Sequence, residues 1–360
     1  MKIILDNIIY SLVEQGGVSN YWFELSKFLL QKNENVFFYE NNEPIFNFHR
    51  NQLEIPNNRI IHNINSSKSS ILNRMSSVKI NESDKFLYHS SYYRPLLSEN
   101  KNNIEITTVH DFTHNYFSSF FKKTTHNLIK YKSINKSNGI ICISNNTYND
   151  LLKFCPPKKN QKIAIINNGV SDDFFIIEPS NIESKFNFSI EKNTYVLYVG
   201  SRENYKNFHF VIELLKLNSD LKLIVVGKAF TRKEKQNIGE TKSRINLVSN
   251  VSNQDLNIFY NNALAFIYPS SYEGFGIPII ESMKAGCPVI ALNASSIPEV
   301  AGDAGVLIDK LDPLLTSKVI RNLAKNDFRD EFIEKGIIHS KKFSWDKCCN
   351  ETLDFYNEVF

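Results

Sequence analysis

The chain alternates short apolar runs with segments of helical periodicity, and this alternation constrains its fold more than any other feature. An apolar run at residues 2–6 is followed by a loop, a helical pattern at residues 18–29 and a second apolar run at residues 36–39. A strand, a helix and a strand in this order form the repeating unit of a parallel α/β sheet. Further runs extend the predicted sheet at residues 85–88, 104–109, 139–143 and 162–166.

The same alternation restarts after Asn167-Asn168-Gly169. Predicted strands lie at residues 195–199, 221–226, 246–248, 264–268 and 289–292, and predicted helices at residues 208–217, 254–261 and 278–285. Since 360 residues can supply two cores, we expect two doubly wound domains, residues 1–170 and 171–343, followed by an amphipathic helix over residues 344–360. Ligands of such sheets bind beyond the carboxyl ends of the strands, so we expect the two domains to face a central cleft.

Composition excludes several classes of protein. The net charge is only +4, and no nucleic-acid recognition motif is present, so no nucleic-acid partner is predicted. No apolar run approaches the roughly 18 residues that cross a membrane. The five cysteines form no CxxC pair, which is typical of reduced thiols in a cytosolic protein. We therefore expect a cytoplasmic protein, at most peripheral to a membrane.

The segment EGFGIPIIE at residues 273–281 is the most informative motif. It predicts a glycine-rich turn followed by a short helix that begins at Pro278. Gly274 and Gly276 let backbone N–H groups approach a ligand, and a helix N-terminus attracts phosphate. Glu273 lies before the turn, and the side chain of Glu281 leans back toward it. Carboxylates beside an anion site suit a nucleotide-sugar, although Glu281 alone can simply complement the helix dipole.

Two cationic residues follow the first predicted strand of the second domain, in the segment GSRENYKN. Arg202 and Lys206 are predicted to lie on the loop at the carboxyl end of that strand. Lone cations on loops are usually solvated. The chain contains no DxD carboxylate pair for a metal-bound diphosphate, so fixed cations would have to neutralise a departing diphosphate. We therefore predict no metal site and a metal-independent reaction.

Two features of the first series point to the same edge of its sheet. Gly16-Gly17 precedes a helix after the first strand, a second backbone site for an anion. This is not GxGxxG, so NAD binding has little support. His110 ends another predicted strand on the expected cleft side, where it is either a functional group or a structural hydrogen-bonding residue.

Together these motifs resemble the family 4 retaining glycosyltransferases of GT-B fold, in particular bacterial O-antigen and surface-polysaccharide enzymes. The resemblance covers nearly the whole chain, and its most specific parts are the E(x7)E segment with EGFG and the R(x3)K loop. The matching segments are GGV at 16–18, VHD at 109–111, CIS at 142–144, NNGV at 167–170, GSRENYKN at 200–207, EGFGIPIIE at 273–281, AGCPVIA at 285–291 and IPEVAGDAG at 297–305.

The resemblance implies a role for each matching residue. Residues 1–170 would bind the acceptor, residues 171–343 the nucleotide-sugar donor, and the terminal helix would cross back to the first domain. Arg202 and Lys206 would hold the donor diphosphate, Glu281 the ribose hydroxyls, and Glu273 the transferred sugar. The implied catalytic residues are His110, Arg202, Lys206 and Glu273, and the implied donor-binding residues are Gly16, Gly17, Arg202, Lys206, Val251, Glu273, Gly274, Phe275, Gly276, Ile277 and Glu281.

A basic and aromatic stretch at residues 112–136 raises the question of the acceptor. After Asp111 it contains no acidic residue, and its lysines (Lys122, Lys123, Lys130, Lys132 and Lys136) alternate with Tyr116, Phe117, Phe120, Phe121 and Tyr131. Such a stretch fits an anionic membrane surface, where a lipid-linked saccharide acceptor would be found, but also a solvated face over a core stripe.

The most probable activity from sequence is transfer of a sugar from a nucleotide-sugar to a lipid-linked saccharide in cell-surface polysaccharide synthesis, at the inner face of the plasma membrane. No cofactor is expected, because the nucleotide-sugar is a substrate. The segment GSRENYKN resembles that of bacterial mannosyl-type O-antigen enzymes, and this resemblance favours a GDP-sugar over a UDP-sugar. Two alternatives remain open at this point: a nucleotide-sugar 2-epimerase and a non-catalytic nucleotide-sugar binding partner of another transferase.

Overall fold

The computed structural model describes residues 1–42, 45–63, 70–178 and 186–360. The chain divides into two compact units. The first comprises Met1–Gly169 together with Trp345–Phe360, and the second comprises Val170–Ser344. Among the described residues, no helix combines the length and apolar composition needed to cross a bilayer.

The first unit is built on a parallel sheet flanked by helices. Its strands are β1 (Ile3–Asp6), β2 (Val36–Asn41), β3 (Ile60–Asn63), β4 (Val78–Lys79), β5 (Leu87–Ser90), β6 (Leu96–Leu97), β7 (Ile104–Val109), β8 (Gly139–Cys142) and β9 (Lys162–Ile165). Its helices are α1 (Ile9–Leu12), α2 (Gly17–Gln31), α3 (Phe48–Asn51), α4 (Ser70–Met75), α5 (Thr113–Phe117), α6 (Phe120–Lys136) and α7 (Asn145–Phe154).

The described strands of this unit form a seven-stranded sheet in the order β3-β2-β1-β5-β7-β8-β9, and β4 pairs separately with β6. All pairs are parallel, so both faces of the central strands are covered and their side chains are buried. The strand order reverses between β1 and β5. The loops after these two strands therefore meet at the carboxyl edge of the sheet, where ligands of doubly wound folds bind.

The second unit repeats this architecture. Its strands are β10 (Tyr195–Val199), β11 (Lys222–Val226), β12 (Ile245–Val248), β13 (Ala265–Tyr268), β14 (Val289–Leu292) and β15 (Val306–Ile308). Its helices are α8 (Phe208–Leu217), α9 (Arg232–Ile238), α10 (Asn253–Asn262), α11 (Ile277–Lys284), α12 (Ile297–Ala301), α13 (Pro313–Leu323) and α14 (Asn326–Ser340). The parallel order β12-β11-β10-β13-β14-β15 reverses between β10 and β13.

The prediction of two parallel-sheet α/β domains is confirmed, and the bounds of β7, β10, β14 and α8 coincide with the predicted ones. The sequence did not indicate β3 and β15. Both are edge strands whose residues are only partly buried, and β3 ends in the polar residues His62 and Asn63. An edge strand with one exposed side gives a weak apolar signal, which explains the omission.

The last helix, α15 (Trp345–Val359), belongs to the first unit. It packs on α2, where the rings of Trp345 and Tyr21 lie 6.3 Å apart between centroids. Its Tyr356 hydroxyl forms a 2.5 Å hydrogen bond with Nδ1 of His89, a residue of β5. The apolar face of this helix is therefore covered by the sheet and by α2 of its own unit.

Candidate active site

In the second unit, two loops meet where the strand order reverses. The loop after β10 carries Lys206, and the loop after β13 carries Glu273. The backbone N–H of Ser271 donates to the carbonyl oxygen of Tyr205 at 2.8 Å. Asn207 also joins the two loops, because its Nδ2 donates to the Pro269 carbonyl oxygen and to Ser271 Oγ, both at 2.8 Å. These contacts fix one loop against the other.

Lys206 and Glu273 form an ion pair across these loops. Lys206 Nζ lies 2.5 Å from Glu273 Oε1, and the two side chains are 16% and 13% exposed. The Tyr268 hydroxyl also interacts with the Glu273 carboxylate, and burial together with this carboxylate raises the pKa of Tyr268. The pair remains accessible at the carboxyl edge of the sheet, where a diphosphate can reach the ammonium group.

Two serines that follow β14 hold the glycine-rich turn in place. Ser296 Oγ donates to the carbonyl oxygens of Glu273 and Phe275 at 3.0 and 2.8 Å. The backbone N–H of Glu273 donates to Ser295 Oγ at 2.8 Å. Gly276 has φ +113°, a conformation that side-chain-bearing residues rarely adopt, so the turn requires glycine there. The turn is thus rigid before any ligand binds.

The helix after this turn, α11, begins at Ile277 with no side-chain cap, one residue before the predicted start. Pro278 has no N–H and the N–H of Ile279 donates to the Gly276 carbonyl oxygen at 3.0 Å, so it is chiefly the helix dipole that favours an anion at this end. Glu281 lies one turn further along, and its Oε2 accepts a 3.2 Å hydrogen bond from the Tyr260 hydroxyl. Burial raises the pKa of Glu281 to about 7. Burial therefore increases the protonated fraction of this carboxyl group near neutral pH.

Arg202 is held largely by protein groups. Its Nε donates to Glu234 Oε1 at 2.6 Å, and its Nη2 donates to the carbonyl oxygens of Lys228 and Ala229 at 2.7 and 3.0 Å. The guanidinium carbon lies 4.8 Å from the centroid of the Phe230 ring. Nη1 is buried without a hydrogen-bond partner. Of the three guanidinium nitrogens, Nη1 therefore has no protein partner and could donate to a diphosphate. The diphosphate-binding role of Arg202 stays a prediction.

Val251 lies apart from these groups. It follows β12, the edge strand, which β11 separates from β10 in the sheet. The neighbouring Ser249 Oγ donates to the Gly227 carbonyl oxygen at 2.6 Å, which ties this loop to the one after β11. The donor-binding role of Val251 therefore remains a prediction.

In the first unit, Gly16 and Gly17 begin α2 and lie exposed at the carboxyl edge of the sheet. A Cβ atom added at either position would meet nothing within 4 Å. Gly16 has an extended backbone that any residue adopts, so neither its φ nor its surroundings require glycine. The two glycines leave open space in which a ligand could approach the backbone. The helix α2 also begins without a side-chain cap on its N–H groups.

His110 follows β7 and is 6% exposed. Its ring meets the Tyr21 ring edge-on at 5.2 Å between centroids, and its Nε2 has no hydrogen-bond partner. Burial lowers the pKa of His110 to about 4, and nearby Lys130 lowers it further while Asp111 acts in the opposite direction. His110 is thus a neutral imidazole across the physiological pH range, with one nitrogen available.

The structure corrects one part of the predicted basic surface. Lys130 is fully buried: its Nζ donates to the Asp111 carbonyl oxygen and lies 3.3 Å from the centroid of the Phe112 ring. The expectation that Lys130 contributes a surface charge is therefore wrong, because α6 turns this residue toward the core. Lys122 and Lys132 are exposed on the same helix.

Several residues that shape the site were not found from the sequence. Asn207, Ser271, Ser295 and Ser296 bind backbone or side-chain atoms of the two loops, and Tyr260 contacts Glu281 from α10. The Ser295-Ser296 pair just before the IPEV segment was a weak signal of a loop anchor. Tyr260 gave no signal, because its neighbour Glu281 is distant in sequence.

Comparison with known proteins agrees with this architecture. A family model described as Glycosyltransferase Family 4 matches residues 15–174, and one described as Glycosyl transferases group 1 matches residues 180–339. The O-antigen chain mannosyltransferase B of Escherichia coli is 25% identical over 287 residues, 75% of this chain and 74% of that protein. The O-antigen chain mannosyltransferase RfbU of Salmonella typhimurium is 29% identical over 222 residues, 60% of each chain.

Solved structures share the fold over the full length. The sucrose-phosphate synthase from Thermosynechococcus elongatus has a TM-score of 0.77 at 17% identity and covers 100% of this chain and 99% of its own. WaaG, a glycosyltransferase involved in lipopolysaccharide biosynthesis, has a TM-score of 0.70 at 14% identity and covers 99% of both chains. The two family models match one unit each, and both units carry the motifs in their sheet-edge loops. The chain is therefore a family 4 glycosyltransferase of GT-B fold, resembling bacterial surface-polysaccharide enzymes.

Proposed function

We propose that this enzyme transfers a sugar, with retention of configuration, from a nucleotide-diphosphate-sugar to a lipid-linked saccharide in the synthesis of cell-surface polysaccharide, O-antigen or capsule. The observation that carries the proposal is the Lys206–Glu273 ion pair beside the N-terminus of α11. The names of two relatives, both O-antigen mannosyltransferases, support the polysaccharide class.

The chemistry explains why this pair matters. Breaking the glycosyl–phosphate bond leaves negative charge on the diphosphate and positive charge at the anomeric carbon. The ammonium group of Lys206 has three N–H donors, so it can bind phosphate oxygen while it still contacts Glu273. Together with the helix dipole it stabilises the leaving group, and the carboxylate of Glu273 stands beside the electron-poor sugar.

The other site residues bind the parts of the substrates that do not react. Glu281, ionised, accepts hydrogen bonds from ribose hydroxyls. The N–H groups that begin α2 at Gly17 bind the diphosphate. His110 offers its unpartnered Nε2 to a hydroxyl group near the reacting centre. In the retaining reaction, the acceptor hydroxyl attacks on the face from which the diphosphate leaves, and a phosphate oxygen of the leaving group takes its proton.

A donor screen tests the donor class. We expect a GDP-sugar to stabilise the protein more than a UDP-sugar, and a ligand at 100 times its Kd adds about 2.7 kcal/mol to the free energy of unfolding. Purified protein is then incubated with the stabilising donor, with and without a lipid-linked saccharide. Sugar transfer that depends on both substrates supports the proposal. A change in the donor sugar without acceptor identifies an epimerase, and no change identifies a binding protein.

Metal independence is the second part of the proposal, because Lys206 supplies the charge that a metal ion supplies elsewhere. We expect transfer in excess EDTA to stay near its full rate. Loss of transfer that Mg²⁺ or Mn²⁺ restores would show that the fixed cation is not sufficient.

The enzyme is further proposed to act at the inner face of the plasma membrane. Exposed apolar side chains lie along α5 and α6, with Phe117 47%, Phe120 76%, Phe121 83% and Leu128 68% exposed. Residues 128 and 132 lie two and three helical turns after residue 121, so all three share one face of α6. Lys132 adds a positive charge to this face. Aromatic and basic side chains on one helix face suit the interface of an anionic membrane.

Flotation with vesicles that contain phosphatidylglycerol tests this surface. We expect binding that weakens with salt and that falls when Phe121, Lys122 and Lys132 are replaced by serine. Lys162→Ser, a change of one exposed lysine elsewhere in the unit, serves as the control. Equal flotation of all three proteins would remove this surface from the proposal.

A further inference from the structure

A second group of polar side chains, Arg74, Tyr92 and His126, lies near Asp111 in the first unit, and its hydrogen bonds are incomplete. Within the part of the chain that the structure describes, Nε and Nη2 of Arg74, in α4, are buried and have no hydrogen-bond partner. Nδ1 of His126, in α6, is also buried without one. Such groups destabilise the folded protein unless they find a partner, and more so when they are charged. Three polar atoms without a protein partner in one place leave hydrogen bonds that a ligand can complete.

Tyr92, which follows β5, holds both residues. The guanidinium carbon of Arg74 lies 4.5 Å from the centroid of the Tyr92 ring, and Tyr92 Oη lies 3.2 Å from His126 Nε2. The rings of His126 and His114 are 4.0 Å apart between centroids. The group thus joins α4, α5, α6 and the loop after β5 at the carboxyl edge of the sheet.

The hydrogen-bond roles follow from the protonation of Tyr92. Burial raises the pKa of Tyr92 to about 12, so its hydroxyl keeps its proton. When that hydroxyl donates to His126 Nε2, the proton of the neutral imidazole is on Nδ1. Burial and the neighbouring His114, Arg74 and Lys130 lower the pKa of His126 to about 3, so the ring is neutral at physiological pH. His126 then offers an N–H donor at Nδ1.

The geometry of Arg74 specifies the ligand. Nε and Nη2 form one edge of the planar guanidinium group, and two parallel N–H bonds from this edge match the two oxygens of a carboxylate or phosphate. The nearby Lys130 faces Asp111, which offsets its charge. We propose that Arg74 and His126 form a subsite for an anionic oxygen group carried by the acceptor, either the phosphate of a lipid diphosphate or the carboxylate of an acidic sugar.

This subsite rests on the proposed function in one respect, since it assigns the anion to the acceptor. Its position supports that assignment. Tyr92 follows β5, and His110 and Asp111 follow the neighbouring strand β7, so these residues lie at the same carboxyl edge of the sheet. Asp111 is close enough to Tyr92 to affect the pKa of that hydroxyl. An acceptor whose hydroxyl lies near His110 would present a neighbouring anionic group to Arg74.

Anion binding to the full chain tests the subsite without donor or acceptor. Calorimetry with inorganic pyrophosphate and with glucuronate compares wild type, Arg74→Gln and Arg59→Gln. Arg59 is the control because its guanidinium donates to the Glu34 carbonyl oxygen on another part of the unit. We expect Arg74→Gln to weaken at least one anion by about 10- to 100-fold, as loss of charge-assisted hydrogen bonds would do. Arg59→Gln should bind both normally.

The two anions distinguish the sources. Weakening of pyrophosphate alone points to a lipid diphosphate, and weakening of glucuronate alone points to an acidic sugar. Unchanged affinity of Arg74→Gln for both anions would overturn the proposal. Donor-side phosphate sites are identical in all three proteins, so the difference between them reports only on Arg74.

Stability measurements separate a binding role from a structural one. An arginine that waits for a ligand leaves two buried N–H groups unmatched, so Arg74→Gln should unfold at the same temperature as wild type or higher. A lower unfolding temperature with unchanged anion binding would make Arg74 a structural residue. Tyr92→Phe keeps the ring under Arg74 and removes the hydroxyl, so we expect a smaller loss of anion affinity from it. If sugar transfer fails but the pyrophosphate difference remains, the proposed function is wrong and the subsite stands.

Discussion

The two units differ in how completely the polar groups at the carboxyl edge of each sheet are hydrogen-bonded. At the edge of the second sheet, Lys206, Glu273 and the glycine-rich turn are bound to one another and to Asn207, Ser295 and Ser296. At the edge of the first sheet, His110, His126 and Arg74 have buried polar atoms with no partner. The described groups of the second site are thus mostly paired, although Nη1 of Arg202 is not, whereas several polar atoms of the first site lack a protein partner.

The difference agrees with what each site is proposed to bind. A preorganised cation and helix N-terminus stabilise the charge of a leaving group without reorganisation during the reaction. A site for a variable acceptor instead leaves donors for the acceptor to satisfy, and an unmatched group rejects molecules that lack the complementary atom. Substitutions in the second unit test whether its site depends on these preformed contacts. A substitution in the first unit tests whether the exposed space at its sheet edge is needed for binding.

The largest effect is expected from Lys206→Ala. Loss of the ammonium group removes charge stabilisation of the leaving diphosphate and leaves Glu273 without its partner, so kcat should fall by about 10²- to 10³-fold. Steady-state kinetics together with calorimetric donor binding would separate the two effects. Lys222→Ala, which breaks the exposed pair with Glu191, is the control. A normal kcat with only weaker donor binding would exclude Lys206 from leaving-group stabilisation.

Ser296→Ala tests whether the glycine-rich turn depends on its anchors. The substitution leaves the Phe275 carbonyl oxygen without its hydroxyl donor and the Glu273 carbonyl oxygen with only the 3.3 Å bond from Ser295 Oγ, which should cost about 1–3 kcal/mol in the free energy of unfolding. Urea unfolding would measure this loss, and donor KM should rise because the turn loosens. Ser219→Ala, an exposed serine of the same unit, should change neither. An unaffected KM would mean that the turn keeps its shape without Ser296.

The pKa of Glu281 predicts a pH-dependent donor affinity. Burial raises its pKa to about 7, so the carboxylate form, which we propose accepts ribose hydroxyls, is lost as pH falls below 7 in the free protein. Donor affinity should therefore fall, by up to about tenfold per pH unit below 7 for a single linked proton. Calorimetry with a nucleotide-sugar between pH 5.5 and 8.5 would measure it. The dependence should disappear in Glu281→Gln and persist in Glu213→Gln; its persistence in Glu281→Gln would assign it to another group.

The smallest change in stability is expected from Gly17→Ala. Nothing lies within 4 Å of the added methyl group, and alanine is favoured over glycine in a helix, so unfolding should be unchanged or require roughly 0.5–1 kcal/mol more. The kcat/KM for donor should nevertheless fall, because the methyl group occupies the space left for phosphate. Gln31→Ala at the far end of α2 is the control. Full activity of Gly17→Ala would show that the glycine pair has no role in binding.

The sequence by itself determined the two sheets and the edge where ligands bind. Central parallel strands are buried on both faces, so they appear as continuous apolar runs that can be found without any tertiary information, as Ile104–Val109 and Tyr195–Val199 were. Edge strands such as Val306–Ile308 lack that signal because water replaces one neighbour. Lys206 and Glu273 were both found as candidates, since their motifs are local.

Only the tertiary structure decided which side chains meet. It paired Lys206 with Glu273, 67 residues away, and bound Arg202 to Glu234 and to backbone carbonyl oxygens. It also turned Lys130 into the core and brought Arg74 to Tyr92 and His126. The sequence alone does not distinguish a charged side chain that is solvated from one that forms an ion pair or is buried in the core. Its burial and its partner depend on elements that fold against it from distant parts of the chain, and no local pattern contains them.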